Sequence, residues 1–172
     1  MGAGGLKCRA VVPSSSDVTG IKQLIAAVGL FPPDMIDGMI APYLLGQTEG
    51  RWLVGVGRGT SGHEEVVGVA YYIPPPFFLM TTGTWNILLL AVLPEQQGRG
   101  VGKAMVRHIT DELQRGTDGR LLLVETSSLP ESAPSGAFFA RVGFTEEGRV
   151  RDYFAEGEDK VVFSMKLGAP KK

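Results

Sequence analysis

The chain has 172 residues, enough for one domain with a well-buried core. With 44% hydrophobic and 20% charged residues it is ordinary for a globular protein, and a formal net charge of −1 argues against nucleic-acid binding, which calls for a basic stripe. The lone cysteine, Cys8, excludes an internal disulfide framework and a cysteine-cluster metal site, and reads as a small apolar strand residue rather than a nucleophile.

Met1 to Lys7 lacks the apolar core of a signal peptide, and Ile87 to Leu93 is too short to span a bilayer. A reducing, cytoplasmic setting with no membrane partner is expected. Leu6 to Val12 reads as a first strand, stopped by Pro13 and three serines. Ser14 or Ser16 is placed to cap a helix through Val28, with Val18, Ile21, Leu24, Ile25 and Val28 on one face. A second helix is expected from Pro33 to Leu45, with Gly46 past its end. Arg51 to Gly57 and Glu65 to Ile73 then form two strands around the turn Arg58-Gly59-Thr60-Ser61-Gly62. Pro74-Pro75-Pro76 ends the second of them. The proline run with Phe77-Phe78 is open to three readings: an acceptor-pocket wall, a dimer contact or a loose loop. Trp85 to Leu93, apolar on both faces, reads as a central strand.

A helix from Gly100 to Arg115 follows, with Val101, Met105, Ile109 and Leu113 recurring every four residues. Leu121 to Thr126 is a buried strand, Pro134 to Val142 a short helix closed by Gly143, and Phe144 to Val150 and Lys160 to Leu167 a final strand pair. The order is βααβββαβαββ, an α/β layer structure around a mixed sheet. Residues 6–168 are expected to form one domain and 169–172 a loose tail.

The turn between Leu93 and the following helix, Gln97-Gly98-Arg99-Gly100-Val101-Gly102-Lys103, has the physics of a phosphate cradle. Unpaired N–H groups of a first helical turn point out of the helix end, where the dipole favours negative charge. Glycines let the main chain approach the phosphates, and Arg99 and Lys103 add charge. A Walker loop needs a glycine where Gln97 stands and a hydroxyl where Ala104 stands, and the dinucleotide fingerprint needs a glycine at Lys103.

Leu90 to Gly102 strongly resembles the central motif of the GNAT acetyltransferase family, with Gln97, Gly100 and Gly102 in its Q/R-x-x-G-x-G/A positions. Ala137-Phe138-Phe139-Ala140-Arg141-Val142-Gly143-Phe144 resembles the family's second cofactor segment, an aromatic followed by x-x-x-Gly-Phe. The resemblance covers nearly the whole chain. It implies a GNAT fold, α/β with a central mixed sheet of about seven strands flanked by about four helices. It also implies acetyl-CoA as co-substrate, with no metal required. By position, main-chain groups of Leu90 and Val92 would bond the pantetheine arm, with the Leu90 N–H near the thioester carbonyl, where it could stabilise an oxyanion. The N–H groups from Gly98 to Lys103 would hold the pyrophosphate, and Phe139 would lie in the second cofactor segment.

Two departures from the family bear on the chemistry. Where many members carry a Glu or Asp on the fourth strand, this chain has Asn86, which cannot take a proton. Where many carry a tyrosine that protonates the thiolate, it has Phe139. At pH 7 an α-amine is neutralised for about 1.4 kcal/mol, but a lysine amine costs about 4.6 kcal/mol. A site without a strong base therefore suits a weakly basic small-molecule amine, such as that of an amino acid. Replacement catalytic residues are Glu125 in the fifth strand, which needs a partner or a cleft, and Tyr153, in a segment Arg151-Asp152-Tyr153-Phe154 expected between the last two strands. Tyr71 and Tyr72 read as strand packing, and His63 and His108 form neither a metal site nor a triad. A homodimer through carboxy-terminal edge strands is compatible with this reading. The competing one is an acyl-CoA-binding sensor or partner module with little turnover.

Overall fold

The computed structural model describes residues 5–12, 16–59, 62–75, 82–116 and 119–168. The chain runs β1 (Lys7–Ala10), α1 (Ser16–Val28), α2 (Met35–Leu44), β2 (Arg51–Arg58), β3 (Glu64–Ile73) and β4 (Thr84–Val92). It continues through α3 (Val101–Gly116), β5 (Leu121–Ser127), α4 (Ala133–Val142), β6 (Thr145–Ala155) and β7 (Glu158–Lys166). This is the expected order. The strands form one seven-stranded mixed sheet, ordered β1-β2-β3-β4-β5-β7-β6, in which β4 runs parallel to β5. By contact density the chain divides into two compact units, Met1–Ile73 with Leu89–Ile109, and Pro74–Leu88 with Thr110–Lys172.

In the first unit, α1 buries Ile21, Leu24 and Ile25, the face its spacing predicts. The carboxylate of buried Asp17 accepts two bonds from the Arg9 guanidinium, at 2.6 and 2.8 Å, and one from the Val12 N–H at 3.2 Å. This bidentate pair ties β1 to the start of α1, and the bond to Asp17 raises the Arg9 pKa further. Burial raises the pKa of the Cys8 thiol, which keeps it protonated at neutral pH and in line with a packing role.

The register of β2 against β3 shifts at Gly55/Val56, and Gly55 lies opposite Gly68. The two glycines make room for α3. A Cβ at Gly68 would come 2.5 Å from Met105 Sδ and 3.2 Å from Val101 Cγ1. Gly68 therefore seats the first turn of α3 against the sheet. We expect Gly68→Val to lower stability by about 1–3 kcal/mol through overpacking. Because Val101 opens α3, the same change should weaken coenzyme A binding. Thermal melts and a coenzyme A titration check both, and an unchanged melting temperature contradicts the packing argument.

In the second unit, Leu122 and Val124 of β5 and Val161 and Phe163 of β7 are buried. Phe163 packs on Phe139 of α4, with ring centroids 5.9 Å apart. Gly143, at φ 107°, ends α4 in the left-handed conformation and donates its N–H to the Ala140 carbonyl, the glycine stop expected there.

Several expectations need correction. α2 begins at Met35 rather than Pro33, because the N–H groups of Met35 and Ile36 bond the carbonyls of Pro32 and Pro33 in a preceding turn. Ser16 lies inside α1 rather than ahead of it, and Ser14 falls outside the described residues. Pro76, Phe77 and Phe78 also lie outside them, as do 169–172. Arg151 to Phe154 belong to β6, which runs to Ala155, and are not a loop between strands. β6 is exposed along its whole length, so neither face shows the alternation that would mark it as a strand. Among the described residues no helix is long and apolar enough to cross a membrane.

Candidate active site

The cradle belongs to the first unit. After β4 a turn of 3-10 helix, Pro94–Gln96, redirects the chain. Buried Gln96 anchors it through a 3.1 Å bond from Nε2 to the Arg58 carbonyl. Gln97 donates its N–H to Pro94 and its Nε2 to the Val92 carbonyl, at 3.2 and 3.1 Å. The Gln97 side chain thus braces the turn. Gly98 and Gly100 then adopt φ of 72° and 87°, with no atom within 4 Å of a built Cβ. It is the backbone conformation, not crowding, that demands glycine here.

Arg99 between them has no positive φ, so the handedness alternates along the turn, the arrangement that gathers successive N–H groups into an anion-binding concavity. The Ala104 N–H bonds the Gly100 carbonyl and closes the first turn of α3. Among the described residues, the N–H groups of Gly98, Arg99, Gly100, Val101, Gly102 and Lys103 meet no acceptor outside the helix. The first turn of α3 carries no acidic side chain, and Arg99 and Lys103 are exposed. These residues fit a pyrophosphate: converging donors, a helix start and two free-standing cations.

Leu90 and Val92 stand on β4 before this turn. The Leu93 N–H bonds the Val67 carbonyl of β3, so by strand alternation the main-chain groups of Leu90 and Val92 point away from β3. The parallel ladder to β5 covers only Thr84 to Ile87, which leaves those groups outside it.

The remaining candidates lie in the second unit. Glu125 on β5 pairs in register with Val162 of β7, and Ser127 pairs with Lys160, so Lys160 is the diagonal neighbour of Glu125 on the same face. The Lys160 Nζ is 3.3 Å from Glu125 Oε2 and 3.8 Å from the centroid of the Tyr153 ring. Glu125 and Tyr153, nominated separately, are therefore brought together by a residue sequence reasoning missed. The only advance signal was a lysine opening the final strand. Burial works against the Lys160 charge, but bonds to Glu125 and Tyr153 outweigh it and raise its pKa above the ordinary value of 10.5. The pair thus adds stability below that pH and loses it as pH rises through the raised pKa. At neutral pH Lys160 is an ammonium and not a base.

Tyr153 reaches the lysine because β6 bulges between Val150 and Ala155. Within the bulge Asp152 takes a left-handed φ of 51°, held by its N–H to Asp159 Oδ1 at 3.1 Å and by the Gly157 N–H to its own Oδ1 at 2.7 Å. Phe139 is not part of this cluster. Its ring is buried against Phe138, Phe144 and Phe163, and Phe163 pairs with Val124, which faces the opposite side of the sheet from Glu125. Asn86 pairs with Leu123, one same-face position before Glu125, and its Oδ1 is buried without a hydrogen-bond partner. Tyr71 stacks on Trp52 at 4.6 Å and Tyr72 is buried, as strand packing requires. Among the described residues no three His, Cys, Asp or Glu gather as metal ligands.

No curated protein matches the chain by sequence. Solved structures do match by shape. A Desulfovibrio desulfuricans protein assigned to the GNAT family superposes with a TM-score of 0.82 at 24% identity, over 95% of this chain and 99% of its own. The ribosomal-protein-S18-alanine N-acetyltransferase of Escherichia coli superposes at 0.70 with 17% identity, over 97% of each chain. An aminoglycoside 6'-N-acetyltransferase complexed with coenzyme A superposes at 0.74 with 12% identity, over 96% of this chain and 99% of its own. At these identities the superpositions establish a shared fold. The acetyltransferase (GNAT) domain family matches residues 52–146, more than half of the chain, from β2 through the cradle and α4 to the start of β6. With the cradle in that matched stretch, the chain belongs to the GNAT family and is an N-acetyltransferase.

Proposed function

We propose that the enzyme moves an acetyl group from acetyl-CoA to a small-molecule amine of low basicity, an α-amino group foremost, by direct attack in a ternary complex. The observation that carries the reading is the set of main-chain donors from Gly98 to Lys103, flanked by the cations of Arg99 and Lys103. In this reading those residues hold the pyrophosphate, and the outward main-chain groups of Leu90 and Val92 hold the pantetheine arm. Acetyl-CoA, when bound, supplies a thioester carbon open to an amine. The Leu90 N–H is the donor for a carbonyl oxygen at β4, the Glu125 carboxylate receives the amine's proton, and the Tyr153 hydroxyl is the acid.

The preference for a weakly basic amine rests on Asn86. With an amide at the usual base position, deprotonation falls to an exposed, ion-paired carboxylate, and the roughly 3 kcal/mol by which an α-amine is easier to neutralise than a lysine amine decides the acceptor. The Escherichia coli neighbour, named for an alanine acceptor, is compatible with this class. Residues 6–168 are read as one working domain and 169–172 as a tail. The single thiol supports a reducing, cytoplasmic setting, and the exposed edge strand β6 supports a homodimer.

Thiol release from acetyl-CoA over a panel of amines tests the proposal. Amino acids and other α-amines are expected to turn over faster than lysine side chains and polyamines at pH 7. Turnover of polyamines alone would sink the acceptor class, whereas coenzyme A binding with no turnover on any amine would favour a sensor.

A further inference from the structure

The Lys160 side chain is 14% exposed, whereas Glu125 is 40% and Tyr153 54% exposed. Most of the lysine side chain is covered, and the two groups that can meet a substrate are the more exposed. The ammonium takes its partners from two neighbouring strands, a carboxylate oxygen of β5 at 3.3 Å and a ring of β6 at 3.8 Å. The bulge that presents the ring is pinned independently by Asp152, Asp159 and Gly157. Local chain geometry brings the ring to the bulge, and Lys160 then couples it to Glu125.

We propose that Lys160 is a positioning residue: it holds the Glu125 carboxylate and the Tyr153 ring in one preformed arrangement. This rests on Glu125 being the group that takes the amine's proton. Among the described residues, Lys160 of β7 is the cation paired with Glu125, Tyr153 of β6 meets the same ammonium, and Asn86 of β4 pairs with Leu123, one same-face position before Glu125.

The test has two arms. In the first, Lys160→Met is expected to lower kcat on the best amine by about tenfold or more with the KM for acetyl-CoA unchanged, and Lys160→Arg, which keeps a cation, to restore most of the loss. An unchanged kcat in a folded Lys160→Met protein overturns the proposal. The second arm combines Lys160→Met with Glu125→Gln. The double variant should be no slower than Glu125→Gln alone, because the lysine acts through the carboxylate, and losses that simply add assign the lysine a purely structural role. An undiminished kcat in Glu125→Gln rejects Glu125 as the proton acceptor, whatever the Lys160 variants show.

Discussion

Gly100→Val is expected to raise the Kd for coenzyme A by at least about a hundredfold while leaving the protein folded. At φ 87° a side chain costs about 1–2 kcal/mol, and a β-branched one resists the left-handed region most. Nothing within 4 Å blocks the new Cβ, so the folding penalty stops there, a fraction of the stability of a typical domain. Binding suffers more. If the substituted residue relaxes to a negative φ, the alternation along the turn from Gly98 through Arg99 is lost and the N–H groups no longer converge. Two charge-assisted bonds at about 1.5–3 kcal/mol each account for a hundredfold or more. Arg99→Ala, which removes charge but keeps the backbone, should cost no more than about tenfold. Calorimetric titration with coenzyme A and a thermal melt separate the two effects. A melting temperature that collapses while residual binding stays normal would show that the turn serves folding instead.

Glu125→Gln is expected to lower kcat by about 10²- to 10³-fold on the best amine, with the KM for acetyl-CoA unchanged. The amide keeps the shape but cannot hold a proton, and it leaves Lys160 without its anionic partner. Glu125 is 40% exposed, so loss of the ion pair itself has little effect on stability. The loss should shrink as assay pH rises and the free amine accumulates without help. A fall of less than tenfold would direct attention to a water-borne base.

The cradle was legible in the sequence because it is contiguous: a strand end, two glycines and a helix start decide the geometry within a few residues. The packing stripe of α3 was legible for the same reason, and Val101, Met105, Ile109 and Leu113 are all buried. β6 was read too short because an edge strand exposed on both faces carries no alternation, and its charged residues mimic a loop. Gly68 gave no signal either, since its meaning depends on Met105 approaching from a different element.

The catalytic candidates show the same division. The residue types were visible: an amide and a phenylalanine at two positions where proton transfer is usual, and a carboxylate and a phenol elsewhere as replacements. The tertiary structure alone decided that Glu125 and Tyr153 meet at Lys160, because a diagonal contact from β5 to β7 depends on strand register, and the ring's reach depends on a bulge held by Asp152. Helix starts and glycine turns follow from nearest neighbours along the chain. Register follows from which side chains a whole sheet can bury, so contacts across strands become definite only once the sheet has formed.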